Sequence, residues 1–494
     1  MKSYLKNNQS IALFLSVFVA LNITFLYYNF IFFIGNHDWD WVKGTTQVLS
    51  LNTGLFEARF AKFIFNTMLF SGHIFPIINN IVSFSFLSIG AVFICKYLKI
   101  NNLIHSIIIS LSLVLSPYIL GWLYFPINIL GNFSAIAYIS GGLLLLEKDN
   151  KLSKIIAILL FILALGVYPS SMEMIFILFT CKNILNPKQS KTKELKTLFY
   201  IVLSLICFKG VIYTLVKLNL SIQDYYNMQL NSVSYIITHI PTYIKLFFSQ
   251  LYTTLPFFPL SLKLIGIIIV LLAFIASSFN LTNIILWMII FVSTILTSIL
   301  TANIEETAFM PRVNFYGLNF LFASSIAVLL SSSNKWRNLG YILSLIYLII
   351  SINQNLYAQK VWSLGLKAET YLTQRITKRI EDNSTQLPLV PVFTDELSLR
   401  PRYYHTSYQK NSPYLLERSF IVRHIPSGMY NFYSPTQIFY GYSQIRDLSP
   451  SLYQYLKTAT QPWPHQNSLY IDDTYAVIML TTKGITAIKH QLPK

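Results

Sequence analysis

An uncharged apolar stretch follows the first two lysines of the chain: residues 11–34 read IALFLSVFVALNITFLYYNFIFFI. A helix of about 20 such residues is long enough to cross the hydrocarbon core of a bilayer. The stretch is too long for the apolar core of a secretion signal, and no small-residue cleavage site follows it. We therefore predict a retained first membrane helix, with Lys2 and Lys6 keeping its N-terminus in the cytoplasm.

Comparable apolar stretches recur along the first 350 or so residues. Hydrophobic residues make up 54% of the 494-residue chain and charged residues only 11%, whereas ordinary soluble proteins carry about 25% charge. This composition excludes a soluble globular enzyme, a disordered chain and a disulfide-stapled domain. We predict about eleven membrane helices, near residues 11–34, 74–95, 103–119, 127–146, 155–167, 171–181, 197–216, 264–279, 281–300, 316–331 and 339–352.

Basic residues are distributed unevenly over the connections between these stretches. The chain has 37 Lys and Arg against 19 Asp and Glu, a net charge of +18. One set of alternate loops is rich in them: Lys2, Lys6, Lys96, Lys99, Lys148, Lys151, Lys154, Lys182, Lys188, Lys191, Lys193, Lys196, Lys335 and Arg337. The opposite loops hold fewer: Lys43, Arg59, Lys62, Lys217, Lys245, Lys263 and Arg312. The positive-inside rule places the richer set in the cytoplasm, so the charge orients a multi-pass protein and we expect no nucleic-acid partner.

The last part of the chain has a different pattern. Residues 356–381 predict a polar-faced helix, and short β-branched runs follow at 389–393, 419–425, 468–473 and 476–482. The loop charges place this part outside the cytoplasm. We predict two domains: an all-α polytopic membrane domain over residues 1–352 and a small α/β extracytoplasmic domain over residues 353–494.

Two carboxylates stand close together directly after the first predicted helix. Residues 35–44 read GNHDWDWVKG, in which Asp38 and Asp40 alternate with Trp39 and Trp41. One interpretation is an aromatic belt with ordinary interfacial acids. The other is a catalytic site at the headgroup level, because acids at such a position are unusual. Two acids at this spacing also suit Mg²⁺, so metal dependence stays open.

The next segment predicts an amphipathic helix in the membrane interface. Residues 54–70 read GLFEARFAKFIFNTMLF, with phenylalanines at helical spacing and the polar Glu57, Arg59 and Lys62 among them. Guanidinium binds phosphate bidentately and ammonium binds it as a point charge. The two cations therefore suit a phosphate group, although a plain interfacial helix with solvated charges has the same pattern.

Two further charged residues lie near predicted outer helix ends. Glu173 follows GVYPSSM at the start of a helix, and Arg312 is the one basic residue in NIEETAFMPRVNFYG, residues 303–317. An ionisable residue at membrane depth marks a functional site or pairs with a cation. Arg312 suits a phosphate leaving group or anchors its helix at the interface.

Taken together, these motifs resemble those of the serotype-converting O-antigen glucosyltransferases (Gtr type) of bacteria and their phages, which are membrane enzymes of the GT-C type. The resemblance rests on NHDWDW after the first helix, GLFEARF, SPYILGWLYFPIN at 116–128 and MPRVNFYG. It covers most of the membrane part and is strongest over about residues 35–180.

The resemblance implies a multi-pass inner-membrane enzyme. It would transfer glucose from undecaprenyl-phosphate glucose to a sugar hydroxyl of lipid-linked O-antigen at the periplasmic face. Two pathway partners are implied, a donor-making synthase and a flippase. A flippase for lipid-linked sugar and an O-antigen polymerase are the alternative functions; a transporter would place more charges at mid-membrane.

The candidate site residues accommodate this chemistry. A carboxylate near the acceptor hydroxyl serves as general base, and cations meet the charge of the leaving phosphate. The catalytic candidates are Asp40, Asp38 and Glu57, the last as a positioning residue. The substrate-binding candidates are Arg59, Lys62, Arg312, Glu173 and Trp41.

Overall fold

The computed structural model describes residues 2–30, 60–61, 64, 76–123, 126–187, 190–220, 233–253, 260–277, 280–296, 299, 315–383, 390–393, 439–440, 449–462, 464–471, 475–479, 482, 485–486 and 489. Most of these residues are helical. The helices are α1 (Lys2–Thr24), α2 (Leu26–Phe30), α3 (Pro76–Tyr97), α4 (Leu103–Val114), α5 (Leu120–Leu123), α6 (Pro126–Leu146), α7 (Lys151–Val167), α8 (Ser171–Leu185), α9 (Lys191–Lys217), α10 (Val233–Thr238), α11 (Ile240–Thr253), α12 (Leu260–Ala276), α13 (Leu281–Ser293), α14 (Leu318–Ser331), α15 (Asn334–Glu381) and α16 (Pro450–Thr458).

Several of these helices match the membrane helices predicted from the sequence. Five are long and apolar enough to cross a membrane: Ile77–Tyr97, Leu103–Leu123, Asn128–Leu146, Lys191–Lys217 and Asn334–Lys360. Four shorter apolar helices are Asn8–Thr24, Leu260–Ala276, Leu281–Ser293 and Leu318–Ser331. These apolar helices are compatible with a membrane protein, while the total of about eleven spans stays a prediction.

The distribution of side chains also fits a bilayer. Apolar residues point outward, for example Ile23 on α1 (66% exposed) and Ile206 on α9 (62% exposed). Small polar residues lie inside, where Asn80 on α3 donates a hydrogen bond to Asn29 on α2 at 3.1 Å. Helices in lipid gain little from burying apolar surface and associate instead through close packing and polar contacts.

Several lysine-rich connections meet at one end of the helices, which we call the basic end. Lys182 on α8 pairs with Glu147 after α6, and its ammonium lies 4.6 Å from the ring centre of Tyr97 on α3. Lys193 on α9 donates a hydrogen bond to the Glu147 carbonyl at 3.0 Å. Three of the loops predicted to be cytoplasmic thus come together in space, as the positive-inside pattern requires.

One long helix, α15, replaces two predicted segments. The sequence predicts a membrane helix ending at residue 352 and a separate polar helix from 356, whereas α15 runs unbroken from Asn334 to Glu381. No Gly or Pro interrupts residues 351–360. Between the two predicted segments Asn353 is exposed, whereas Gln354 and Asn355 are buried. Asn355 donates to the Leu115 carbonyl at 2.7 Å, so this polar stretch stays helical and does not form a loop.

The structure divides into two compact units, with the boundary in α15 between Gln359 and Lys360. The second unit contains a four-stranded sheet in the order β2-β1-β4-β3. Its strands are β1 (Val390–Phe393), β2 (Phe439–Tyr440), β3 (Leu469–Ile471) and β4 (Tyr475–Ile478). β1 pairs parallel with β2 and β4, and β3 pairs antiparallel with β4. Three of the predicted β-branched runs coincide with β1, β3 and β4, of which β4 begins one residue earlier than predicted. β2 lies in none of the predicted runs, and the run at 419–425 lies outside the described residues.

Helix α16 packs beside this sheet. Leu452 and Leu456 are fully buried, and Tyr455 donates a hydrogen bond to the Asn467 carbonyl at 2.9 Å. Burial raises the pKa of the Tyr455 phenol above its ordinary value, while the nearby Arg379 guanidinium acts in the opposite direction. Arg379, near the end of α15, also donates to the backbone carbonyls before and at His465. Helix and strand elements thus share one core in this unit.

Candidate functional site

The end of the helices opposite the basic end is held together by hydrogen bonds between distant segments. The Tyr28 hydroxyl donates to the Leu123 carbonyl at 2.6 Å. Gln359 on α15 accepts from the Tyr28 amide at 3.0 Å and donates to the Thr24 carbonyl at 2.8 Å. These contacts fix the end of α1 against α5 and α15. Every partner is buried, so each bond is protected from water and positions the chain firmly.

Three aromatic rings pack together at this end. The Trp122 ring on α5 lies edge-on to Tyr168, with centroids 4.9 Å apart, and 5.9 Å from Tyr316. Tyr168 and Tyr316 stack at 6.4 Å. The Tyr316 hydroxyl donates to the Asn132 carbonyl at 3.0 Å. We call Trp122, Tyr168 and Tyr316 the aromatic cluster, and the end of the helices that carries it the aromatic end.

Glu173 lies two residues beyond the start of α8, close in sequence to this cluster. It is 1% exposed. A Cβ atom at Gly317, the N-cap of α14, would lie 2.8 Å from Glu173 Oε2 and would collide with the Thr294 carbonyl oxygen after α13. Three helix ends therefore converge on the Glu173 carboxylate. An acid in the first turn is also favoured by the positive end of the α8 dipole.

Two buried polar atoms, one in the aromatic cluster and one just before α8, have no hydrogen-bond partner among the described residues. These are the indole nitrogen of Trp122 and the hydroxyl of Ser170, which precedes α8. Buried polar groups in native proteins are nearly always paired. The indole is a donor and the hydroxyl both donates and accepts. Both groups therefore suit contacts to a polar ligand or to chain segments that the structure does not describe.

Gly317 is the residue that permits the close approach at Glu173. We expect Gly317→Ala to destabilise the protein by about 1–3 kcal/mol, because the added methyl group overpacks a site walled by backbone. Thermal unfolding in detergent measures the effect as a lowered Tm. Gly210→Ala in α9 is the matched control, because a Cβ atom at Gly210 has no other atom within 4 Å. Alanine is favoured over glycine by about 0.5–1 kcal/mol inside a helix, so this variant is not expected to lower the Tm. An unchanged Tm for Gly317→Ala would contradict the close packing.

Of the site residues predicted from the sequence, Glu173 is the one that the structure describes. The others lie outside the described residues: Asp38, Asp40, Trp41, Glu57, Arg59, Lys62 and Arg312. Their roles stay predictions. The sequence analysis did not predict Trp122, Ser170 or Gly317 as site residues. Trp122 stands in SPYILGWLYFPIN and Gly317 ends MPRVNFYG. Neither stretch reveals that Trp122 packs on Tyr168 and Tyr316 or that Gly317 approaches Glu173.

The predicted interfacial helix has described residues next to two of its cations. Residues 60, 61 and 64 are helical, in agreement with the prediction. Phe60, adjacent to Arg59, packs on Leu165, Phe208 and Ile212. Its ring also lies directly on Gly166, two residues before Tyr168. Of the described residues here, Phe60 thus packs on α7 and α9 and Ala61 is buried, whereas Ile64 is exposed.

The described residues contain no group of three or more His, Cys, Asp or Glu side chains arranged to hold a metal. Asp38 and Asp40, the acids considered for Mg²⁺, lie outside them. A role for Mg²⁺ therefore stays an untested prediction.

These features define a class: a multi-pass helical membrane protein with a buried carboxylate beside an aromatic cluster at one helix end. Residues 45–255 match the family model described as Glucosyl transferase GtrII. The match confirms the resemblance to the serotype-converting Gtr glucosyltransferases and indicates a glycosyltransferase. The GtrII family suggests glucose transfer in O-antigen modification. No curated protein and no solved structure gives a significant match.

Proposed function

We propose that this protein is an inner-membrane glycosyltransferase of the GT-C type that transfers glucose from undecaprenyl-phosphate glucose to a sugar hydroxyl of lipid-linked O-antigen. The observation that carries the proposal is the family match over residues 45–255, because the matched segment contains Trp122, Tyr168 and Glu173. A buried acid beside aromatic rings suits a sugar, whose hydroxyls donate to carboxylates and whose apolar face packs on rings.

The reaction is a single displacement at the anomeric carbon. Asp40 or Asp38 takes the proton from the acceptor hydroxyl as the oxygen forms its bond to that carbon. The bond to the lipid phosphate breaks, and its electron pair leaves with the phosphate. Arg59 and Arg312 stabilise the charge on the leaving phosphate.

The remaining candidates orient the substrates. Lys62 adds a point charge beside the phosphate, and Glu57 holds Arg59 or the base in position. Trp41 packs on the sugar or its lipid headgroup, and Glu173 accepts hydrogen bonds from the glucosyl hydroxyls.

Sequence proximity supports a common position for the proposed phosphate ligands at the aromatic end. Arg59 precedes Phe60, whose ring lies on Gly166 near Tyr168. Arg312 stands three residues before Phe315, whose ring lies 5.4 Å from that of Tyr316. The segments that contain Arg59 and Arg312 are thus each joined to a described residue at this end.

The orientation in the membrane follows from charge. The basic end faces the cytoplasm, so the aromatic end faces the periplasm, where both lipid-linked substrates present their sugars. The N-terminus is then cytoplasmic and residues 353–494 are periplasmic. A synthase and a flippase acting earlier in the same pathway supply the donor on this face.

Transfer by the purified full-length protein in proteoliposomes tests the proposal. Undecaprenyl-phosphate glucose labelled in the sugar and lipid-linked O-antigen are supplied together, and mass spectrometry of the acceptor is expected to show one added hexose. The reaction without acceptor is the control. Donor movement across the bilayer without a new bond would indicate the flippase, and acceptor lengthening without donor would indicate the polymerase. Absence of any transfer would overturn the enzyme assignment.

A further inference from the structure

An apolar groove runs along the outside of the first unit between α8 and α13. Its volume is about 370 Å³, within the range of about 300–1,000 Å³ typical of ligand sites. The groove is lined by Phe176, Ile284, Ile285, Met288, Ile289, Val292, Ser293 and Leu296. The Ser293 hydroxyl donates to the Ile289 carbonyl at 2.7 Å, so the one polar side chain of the lining is already paired. The surface offered to an occupant is therefore hydrocarbon.

The groove opens toward the surroundings of the helices. Met288 is 57% and Ile285 51% exposed, and both lie on the apolar helix Leu281–Ser293. In a bilayer this surface faces acyl chains, with no water for a polar ligand to exchange. Its occupant must be an aliphatic chain that enters from the lipid.

One end of the groove is lined by residues that are close in sequence to Glu173 and Thr294. Phe176 stands three residues after Glu173, and residues three apart share one face of a helix. Ser293 precedes Thr294, whose carbonyl oxygen faces Gly317 together with the Glu173 carboxylate. From Ile284 to its last residue, Ser293, α13 advances about 14 Å at 1.5 Å per residue. The groove thus runs along α13 toward the aromatic end, where Glu173 is buried.

We propose that this groove, the α8–α13 groove, holds the isoprenoid chain of the glucosyl donor and so brings the donor headgroup to Glu173. The inference rests on the proposed function, since it requires a lipid-linked donor. A held chain fixes the reacting carbon relative to the protein, and such positioning accounts for a large part of enzymatic rate enhancement. A bulk phospholipid carries no reacting group, so holding its acyl chains in the same groove would not speed any reaction.

Crosslinking tests occupancy independently of catalysis. A benzophenone amino acid is placed at Met288 or, as control, at Leu271 on α12, which is 55% exposed and outside the groove lining. The full-length protein is reconstituted with phosphatidylglycerol and undecaprenyl phosphate and irradiated. We expect the ratio of undecaprenyl to phospholipid adducts to be at least fivefold higher at 288 than at 271. Equal ratios at the two positions would overturn the proposal even if the protein transfers glucose.

Filling the groove tests its role in transfer. Ile289→Trp is compared with Leu271→Trp, using donors with a long or a short isoprenoid chain and one constant acceptor. We expect Ile289→Trp to lower kcat/KM at least tenfold for the long-chain donor and to leave the short-chain donor unchanged, whereas Leu271→Trp alters neither. Wild-type kinetics of Ile289→Trp with both donors would overturn the groove assignment while the proposed function stands. Loss of wild-type transfer with every donor would overturn the proposed function, and the adduct ratio then decides the groove by itself.

Discussion

Replacing the catalytic aspartate with asparagine is expected to lower the rate of glucosyl transfer by about 10²–10⁴-fold, the usual contribution of a general base. Asparagine keeps the size and polarity of the side chain but cannot accept the proton of the acceptor hydroxyl. Because Asp38 and Asp40 stand two residues apart, we expect one of Asp38→Asn and Asp40→Asn to show this loss and the double variant to lose at least as much. The measurement is the initial rate of hexose transfer in proteoliposomes.

Asp149→Asn provides a control with the same chemical change. Asp149 is exposed in the loop after α6 at the basic end, far in the fold from the aromatic cluster, and its substitution is expected to leave the rate unchanged. Binding of the donor serves as a second readout, since a lost base lowers the rate of the chemical step and not the affinity. If both single aspartate variants transfer glucose at the wild-type rate, the base lies elsewhere.

Glu173→Gln is expected to lower kcat/KM by about 10–100-fold without lowering the Tm. A hydrogen bond to a charged group contributes about 1.5–3 kcal/mol, and each 1.4 kcal/mol corresponds to a factor of ten. The stability change is small because two effects oppose each other. The substitution loses about 0.3–1 kcal/mol of interaction with the α8 N-terminus, and it removes the cost of burying a charge.

The two readouts separate a substrate contact from a structural role. If Glu173 only holds α8, α13 and α14 together, the variant lowers the Tm and the rate in parallel. If it binds the glucosyl group, kcat/KM falls at an unchanged Tm. Glu194→Gln on α9, at the basic end, is the matched control and is expected to change neither quantity. Unchanged kcat/KM in Glu173→Gln would remove Glu173 from the substrate site.

The sequence predicted Glu173 as a candidate but not its surroundings. The argument from sequence was that an ionisable residue near a membrane helix start is unusual, and this depends on local composition alone. The contacts to Gly317 and the Thr294 carbonyl join residues more than a hundred positions apart. No local pattern of hydropathy or spacing records which helix ends meet, so the convergence of α8, α13 and α14 was not predictable.

The helices, the shared side of the lysine-rich loops and three of the strands were predictable from neighbouring residues in the sequence. Apolar stretches predicted the helices because lipid requires each segment to satisfy its own backbone hydrogen bonds. The alternation of lysine-rich loops predicted that they would share one side, and Tyr97, Glu147, Lys182 and Lys193 indeed meet at the basic end. The β-branched runs around Val392 and Val477 likewise became paired strands, since their periodicity is a property of neighbouring residues.

Tertiary packing alone decided the aromatic cluster, the α8–α13 groove and the continuous course of α15. Trp122, Tyr168 and Tyr316 belong to different segments, and their stacking follows from how α5, α7 and α14 fit together. Around Asn355 the sequence is polar enough to resemble a loop, yet its amide finds the Leu115 carbonyl and the helix continues. Hydropathy and periodicity state that a surface is apolar or polar. Complementary shapes and unpaired polar groups on distant segments determine which surfaces meet, and these become defined only when the helices pack.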